Sequence, residues 1–110
     1  MTVRSLQLGT GTAIGTTNVT LYTCPANTRT IVKQVILFNG GASGITAQVN
    51  ISNGGTQIVG WEVELGARHT ATASYINLIW VVLKAGDSLR VNASAGTGLQ
   101  AIASGAELPI

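Results

Sequence analysis

Residues 45–65 read ITAQVNISNGGTQIVGWEVEL, and the spacing of their side chains decides the fold class. Ile45, Ala47, Val49 and Ile51 alternate with Thr46, Gln48, Asn50 and Ser52. Side chains along a strand point to opposite faces in turn, so a period of two describes a strand with one apolar and one polar face. Beyond SNGGTQ the pattern returns, with Val59, Trp61, Val63 and Leu65 on one side. An Asn-Gly pair between two alternating segments suits a tight hairpin, whose central residues must reach positive φ. The stretch reads as a β-hairpin with one face made for burial.

Working outward, strand signals recur at intervals of roughly ten residues, the spacing of all-β chains. Val19 to Thr23 alternate, and CPAN then turns the chain, because Pro25 fixes φ and Asn27 favours turn geometry. Thr30 to Asn39 follow as a strand that ends at NGGASG. Simple alternation places Val32, Ile36 and Phe38 with Gln34 on one face, and Ile31, Val35 and Leu37 with Lys33 on the other. Both faces are largely apolar, so this strand is expected to be central or to lie against a neighbouring subunit. Strands near Tyr75–Leu83, Ser88–Ser94 and Leu99–Ser104 complete the chain, joined by the turns KAGD and AGTG. Residues 2–8 read as a first strand followed by the Gly/Thr-rich connector GTGTAIGTT; residues 1–17 can equally be read as an arm reaching a neighbouring subunit.

No segment carries the 3.6-residue apolar spacing of an amphipathic helix over three turns. About eight short strands with apolar faces need a second sheet to cover them. The expected fold is therefore all-β: one domain over residues 1–110, a β-sandwich of antiparallel strands, jelly-roll-like, with an open barrel as the second choice. A chain of 110 residues can bury about two-thirds of its unfolded surface, enough for a core without disulfides.

Composition then narrows the function. Charged residues make up 9% of the chain, against about 25% in an ordinary soluble domain, with Thr, Ser, Asn, Gln and Gly in their place. Loss of Lys, Glu and Asp marks interface surface, which points to a protein that lives in an oligomer or a larger assembly. The net charge of +2 is too small for a nucleic-acid footprint. The segment MTVRSLQLGTGTAIG has no apolar run of signal-peptide length, and the most apolar window spans only Ile76 to Leu83, whereas a membrane helix needs about 20 residues. The expectation is a soluble chain with no membrane partner.

The inventory for chemistry is thin: one His, one Cys and one Asp. Cys24 reads as a small hydrophobe at the start of a buried strand, and His69, beside Arg68 in the polar loop GARHTATAS, as a solvated side chain. Glu62 and Glu64 share a strand face and read as an exposed stripe rather than a pair of acid–base carboxylates. One His and one Cys fall short of a zinc set, and the glycines of GTGTAIG follow neither phosphate-loop spacing. No catalytic residue, metal or cofactor is expected. Tyr75, at the edge of the polar loop, is the aromatic best suited to anchor an interface.

Three stretches carry a resemblance. LYTCPANTRTIVKQVILFN resembles a Tyr-Thr-x-Pro-Ala opening followed by a strand of type IVKxVxLxN, found in small β-sandwich virion proteins of tailed bacteriophages. VVLKAGDSLRVNAS resembles their Leu-x-Ala-Gly-Asp-x-Leu-x-Val segment, and LQAIASGAEL their closing Ser-Gly-x-Glu strand. The matches span residues 21 to 108, and the pattern recurs in capsid decoration proteins as well as tail and fibre components. The resemblance implies a non-enzymatic structural protein of the virion, assembled in the host cytoplasm. Its most direct form is a cement protein: a homo-oligomer, often a trimer, sitting on the capsid surface and holding neighbouring major capsid subunits together. Arg4, Arg68 and His69 are then candidate contacts with an acidic capsid surface. The alternative is a receptor- or carbohydrate-binding module of a tail or fibre. Trp61 with Glu62 and Glu64 is the only local cluster of that kind, and alternation sets Trp61 on the opposite face from both acids.

Overall fold

The computed structural model describes residues 4–66, 75–78 and 81–110, and every regular element among them is a strand. In chain order these are β1 (Arg4–Ile14), β2 (Val19–Thr23), β3 (Thr28–Asn39), β4 (Ile45–Asn53), β5 (Thr56–Leu65), β6 (Tyr75–Leu78), β7 (Val81–Leu83), β8 (Asp87–Ala93) and β9 (Leu99–Pro109). One sheet has the order β1-β9-β3-β6, with β7 also paired to β3; the other has the order β2-β8-β4-β5. All the pairings are antiparallel.

β6 and β7 share one register on the same strand: Leu78 faces Val35, and three residues farther along both strands Val81 faces Val32. They form a single line along the edge of β3. Counted so, each sheet has four lines, the first and last of the chain pair together, and the next two inward pair in the opposite sheet. This is the strand order of a jelly roll.

The turns follow from local chemistry. In the β4–β5 hairpin the positive-φ residues are Gly54 (φ 59°) and Gly55 (φ 85°), one position later than the Asn-Gly pair suggested. Asn53 remains in β4, opposite Thr56, and its amide donates to Asp87 Oδ1 at 2.9 Å. The CPAN corner places Asn27 at φ 56°, a conformation its short polar side chain tolerates. In the KAGD turn, Asp87 Oδ2 accepts from the Lys84 backbone N–H at 3.1 Å and Gly86 takes φ 89°.

The core fills the space between the sheets. Ile14, Val32, Val35, Leu37, Leu83, Leu99, Ala101 and Ala103 meet Leu21, Ala47, Val49, Ile51, Leu65, Leu89, Val91 and Ala93. β3 is central, between β9 and the β6–β7 line, but its two faces are not those of simple alternation. Val32 pairs with Gly105 and Gln34 with Ser104, so Lys33 is an extra residue opposite β9. Such a bulge inverts the alternation beyond it. Val32, Val35 and Leu37 therefore all face inward, while Ile36 and Phe38 turn to the outer face.

The Gly/Thr-rich N-terminal run is strand as far as Ile14, pairing with β9 through two register shifts. Glycine is what permits this. A Cβ on Gly9 would lie 1.9 Å from the Leu21 carbonyl oxygen, so only a bare backbone can approach β2 there. At the other terminus β9 runs past Ser104 to Pro109, because Ala106 and Glu107 continue the ladder with Ile31 and Thr30.

Candidate interaction surfaces

Cys24 is buried, at 2% exposure, where β2 leaves its sheet. Its backbone N–H donates to the Asp87 carbonyl and its carbonyl accepts from Gly86 N–H, which ties the CPAN corner to the KAGD turn. The thiol donates to the Thr28 carbonyl and lies 3.3 Å from Thr30 Oγ1. Next to it, the Tyr22 hydroxyl donates to Glu107 Oε2 at 2.5 Å and contacts Thr30 Oγ1 at 2.7 Å. With the Tyr22 proton directed to Glu107, the Thr30 hydroxyl is the donor of that second bond. Burial, reinforced by the hydrogen bond to the Glu107 carboxylate, pushes the Tyr22 hydroxyl up to about 12 from its ordinary 10.0. These groups bond to one another, and the cluster acts as a clasp between the two sheets.

Among the described residues, no group of three or more His, Cys, Asp or Glu is placed to hold a metal ion. What the molecule presents instead is surface, of two kinds. The outer face of the β2-β8-β4-β5 sheet is polar. Asn18 Oδ1 accepts from Asn50 Nδ2 at 3.2 Å and Asn92 Nδ2 at 2.9 Å, and Ser52 donates to Asn50 Oδ1 at 2.9 Å. Gln48 Nε2 donates to Glu62 Oε1 at 2.6 Å, and this pair forms a ridge between two shallow hollows of about 210 and 360 Å³. Gly60 and Gln57 lie on one side of the ridge, Asn92 and Ser94 on the other. Arg90 crosses the same face opposite Asn50, and its buried Nε has no hydrogen-bond partner.

The second kind is apolar. On the outer face of the other sheet Ile36 pairs with Ile102, which is 38% exposed, and Ile31 with Val82, which is 55% exposed. Along β5 the exposed apolar residues are Ile58 (57%), Val59 (41%) and Trp61 (38%). Val59 and Trp61 pair with Ile51 and Val49, whose side chains are core, so they belong to the inner face of their sheet. Sequence reasoning grouped Val59, Trp61, Val63 and Leu65 correctly but allowed Trp61 a place in the core. It is exposed because β5 is an edge strand, and strand order is not written in local periodicity. Glu62 and Glu64 are exposed on the opposite face from Trp61, as the alternation required.

Of the four residues singled out as contacts, Arg4 opens β1 opposite Glu107 and Tyr75 opens β6 opposite Phe38. Arg68 and His69 lie outside the described residues. No protein-family profile, no curated protein and no solved structure matches this chain.

Proposed function

We propose that the chain is a structural, non-enzymatic virion protein: a cement protein that binds the outer surface of a phage head and holds neighbouring major capsid subunits together. The observation that carries this reading is a jelly-roll sandwich with a charge-poor surface and apolar side chains left exposed on one sheet face and on one strand edge. Apolar side chains exposed on a sheet face and along a strand edge are suited to a contact surface. The three stretches that resemble phage virion proteins support this choice of assembly, and two of them form the interlocked CPAN and KAGD corners. Binding at many symmetry-related sites lets each contact be weak while the shell as a whole gains strength.

The test is reconstitution. Purified protein added to expanded capsids that lack it should bind saturably, in a copy number set by the shell symmetry, and should raise the temperature at which the capsids rupture. Failure to bind, or binding with no change in rupture temperature, would overturn the reading.

A second reading, a tail- or fibre-associated carbohydrate-binding module, is favoured by the polar sheet face. Its two hollows are lined with amides and a carboxylate, groups that between them donate to and accept from sugar hydroxyls. Binding to immobilised glycans, abolished by Glu62→Ala, would favour this reading over the cement role.

A further inference from the structure

We propose that β5 pairs with the β5 strand of a second copy of this chain, antiparallel about a two-fold axis at Trp61, joining two four-stranded sheets into one continuous sheet. An open strand edge presents unpaired N–H and C=O groups and is a template for another strand unless something blunts it. Two of the edges in this sandwich are blunted: β1 carries two register shifts, and β2 has five residues and one shift. β5 has ten residues and runs from Val59 to Leu65 without a shift. It contains no Lys, Arg or Pro to discourage pairing.

The side chains indicate why the occupant is the same strand. In an antiparallel pair centred on Trp61, the two Trp61 side chains meet at the axis and Val59 lies opposite the second copy's Val63. Glu62 falls opposite the second copy's Gly60, beside the Gln57 amide that packs over that glycine, so no carboxylate directly faces another. Parallel, in-register pairing would instead set Glu62 on Glu62 and Glu64 on Glu64, and like charges directly opposite each other disfavour a pair. A two-fold, self-complementary contact closes on itself and exposes no further edge of the same kind. The exposed apolar row on β5 is covered by its own counterpart.

This inference stands apart from the capsid reading, because it is tested on isolated protein with no capsid present. Sedimentation equilibrium of the full chain should give twice the 11.3 kDa monomer mass. Trp61→Lys should weaken self-association at least about tenfold, since it sets two cations side by side at the axis. Val59→Lys should do the same, and because both side chains are exposed, thermal melting at low concentration should stay close to wild type for at least one of them. Hydrogen exchange should show amides of residues 59–63 protected in the dimer and released on dilution. A monomer at about 100 µM, where a micromolar dimer would be assembled, overturns the proposal and assigns the edge to another occupant, such as the chain's own residues 67–74 or a different protein. A trimer, a dimer protected at another edge, or a Trp61→Lys variant that stays dimeric overturns it as well.

Discussion

The Tyr22 hydroxyl, from β2, donates to the Glu107 carboxylate on β9, and so links the two sheets at the end of the sandwich where the core gives way to solvent. A hydrogen bond to a charged acceptor contributes about 1.5–3 kcal/mol. Tyr22→Phe should therefore lower unfolding free energy by about 1–3 kcal/mol in a denaturant titration, with the fold intact. A loss within experimental error would show that the clasp is dispensable.

The same bond sets an alkaline limit. The fold holds the Tyr22 hydroxyl neutral up to about pH 12, whereas the unfolded chain releases that proton near its ordinary 10.0. A raised folded-state value gives a contribution that is complete below pH 10 and is lost as pH rises through about 12. Stability of the wild type should fall more steeply across that window than stability of Tyr22→Phe. Parallel slopes would mean that another group governs the alkaline transition.

Asp87 fastens one corner through both carboxylate oxygens, accepting from Asn53 Nδ2 and from the Lys84 backbone. It is buried, so Asp87→Ala leaves both donors without their acceptor. The expected loss is about 2–4 kcal/mol by thermal or chemical unfolding, well above that of an ordinary surface substitution. Asn53→Ala, which removes only one of the two bonds, should cost less.

Gly105 admits no side chain. A Cβ there would lie 2.0 Å from the Ile31 carbonyl oxygen, a backbone atom that cannot rotate away. Gly105→Ala should destabilise by about 3 kcal/mol or more, read as a lower melting temperature or loss of soluble expression. Gly40→Ala meets mainly the flexible ends of Phe38 and Gln100, so its effect should be much smaller.

The Cys24 thiol should react with alkylating reagents only as fast as the fold opens. It is enclosed by the Thr28 carbonyl and the Thr30 hydroxyl and is nearly inaccessible to solvent. Its modification rate, measured by mass spectrometry, should rise with denaturant in step with global unfolding. Rapid labelling of the native protein would contradict the burial.

Local periodicity and turn chemistry made much of the fold legible in the sequence. The β4–β5 alternation, the turn at Asn27 and the burial of Cys24 could each be read from a few adjacent residues. Other features escaped: the Gly/Thr-rich run is strand to Ile14, β9 continues to Pro109, and the positive-φ pair of the hairpin sits one residue late. The extra residue at Lys33 carries no local mark, yet it decides which of Val35, Ile36 and Phe38 enter the core. The place of β5 at a sheet edge depends on how distant strands pair, so the exposure of Trp61 could not follow from its neighbours. Of the proposed contacts, Arg4 and Tyr75 could be placed only by strand and register, and no geometry joins them into one site.

β9 lies between β1 and β3, so a strand made late in synthesis occupies the middle of a sheet whose neighbours are made early. Until it emerges from the ribosome, β1 and β3 hold complementary edges with nothing between them. Such long-range closure makes folding slow and leaves the nascent chain open to mispairing with other chains. Reaching the native state is thus a matter of timing as well as energy: β1 and β3 cannot be joined into one sheet before β9 has been made.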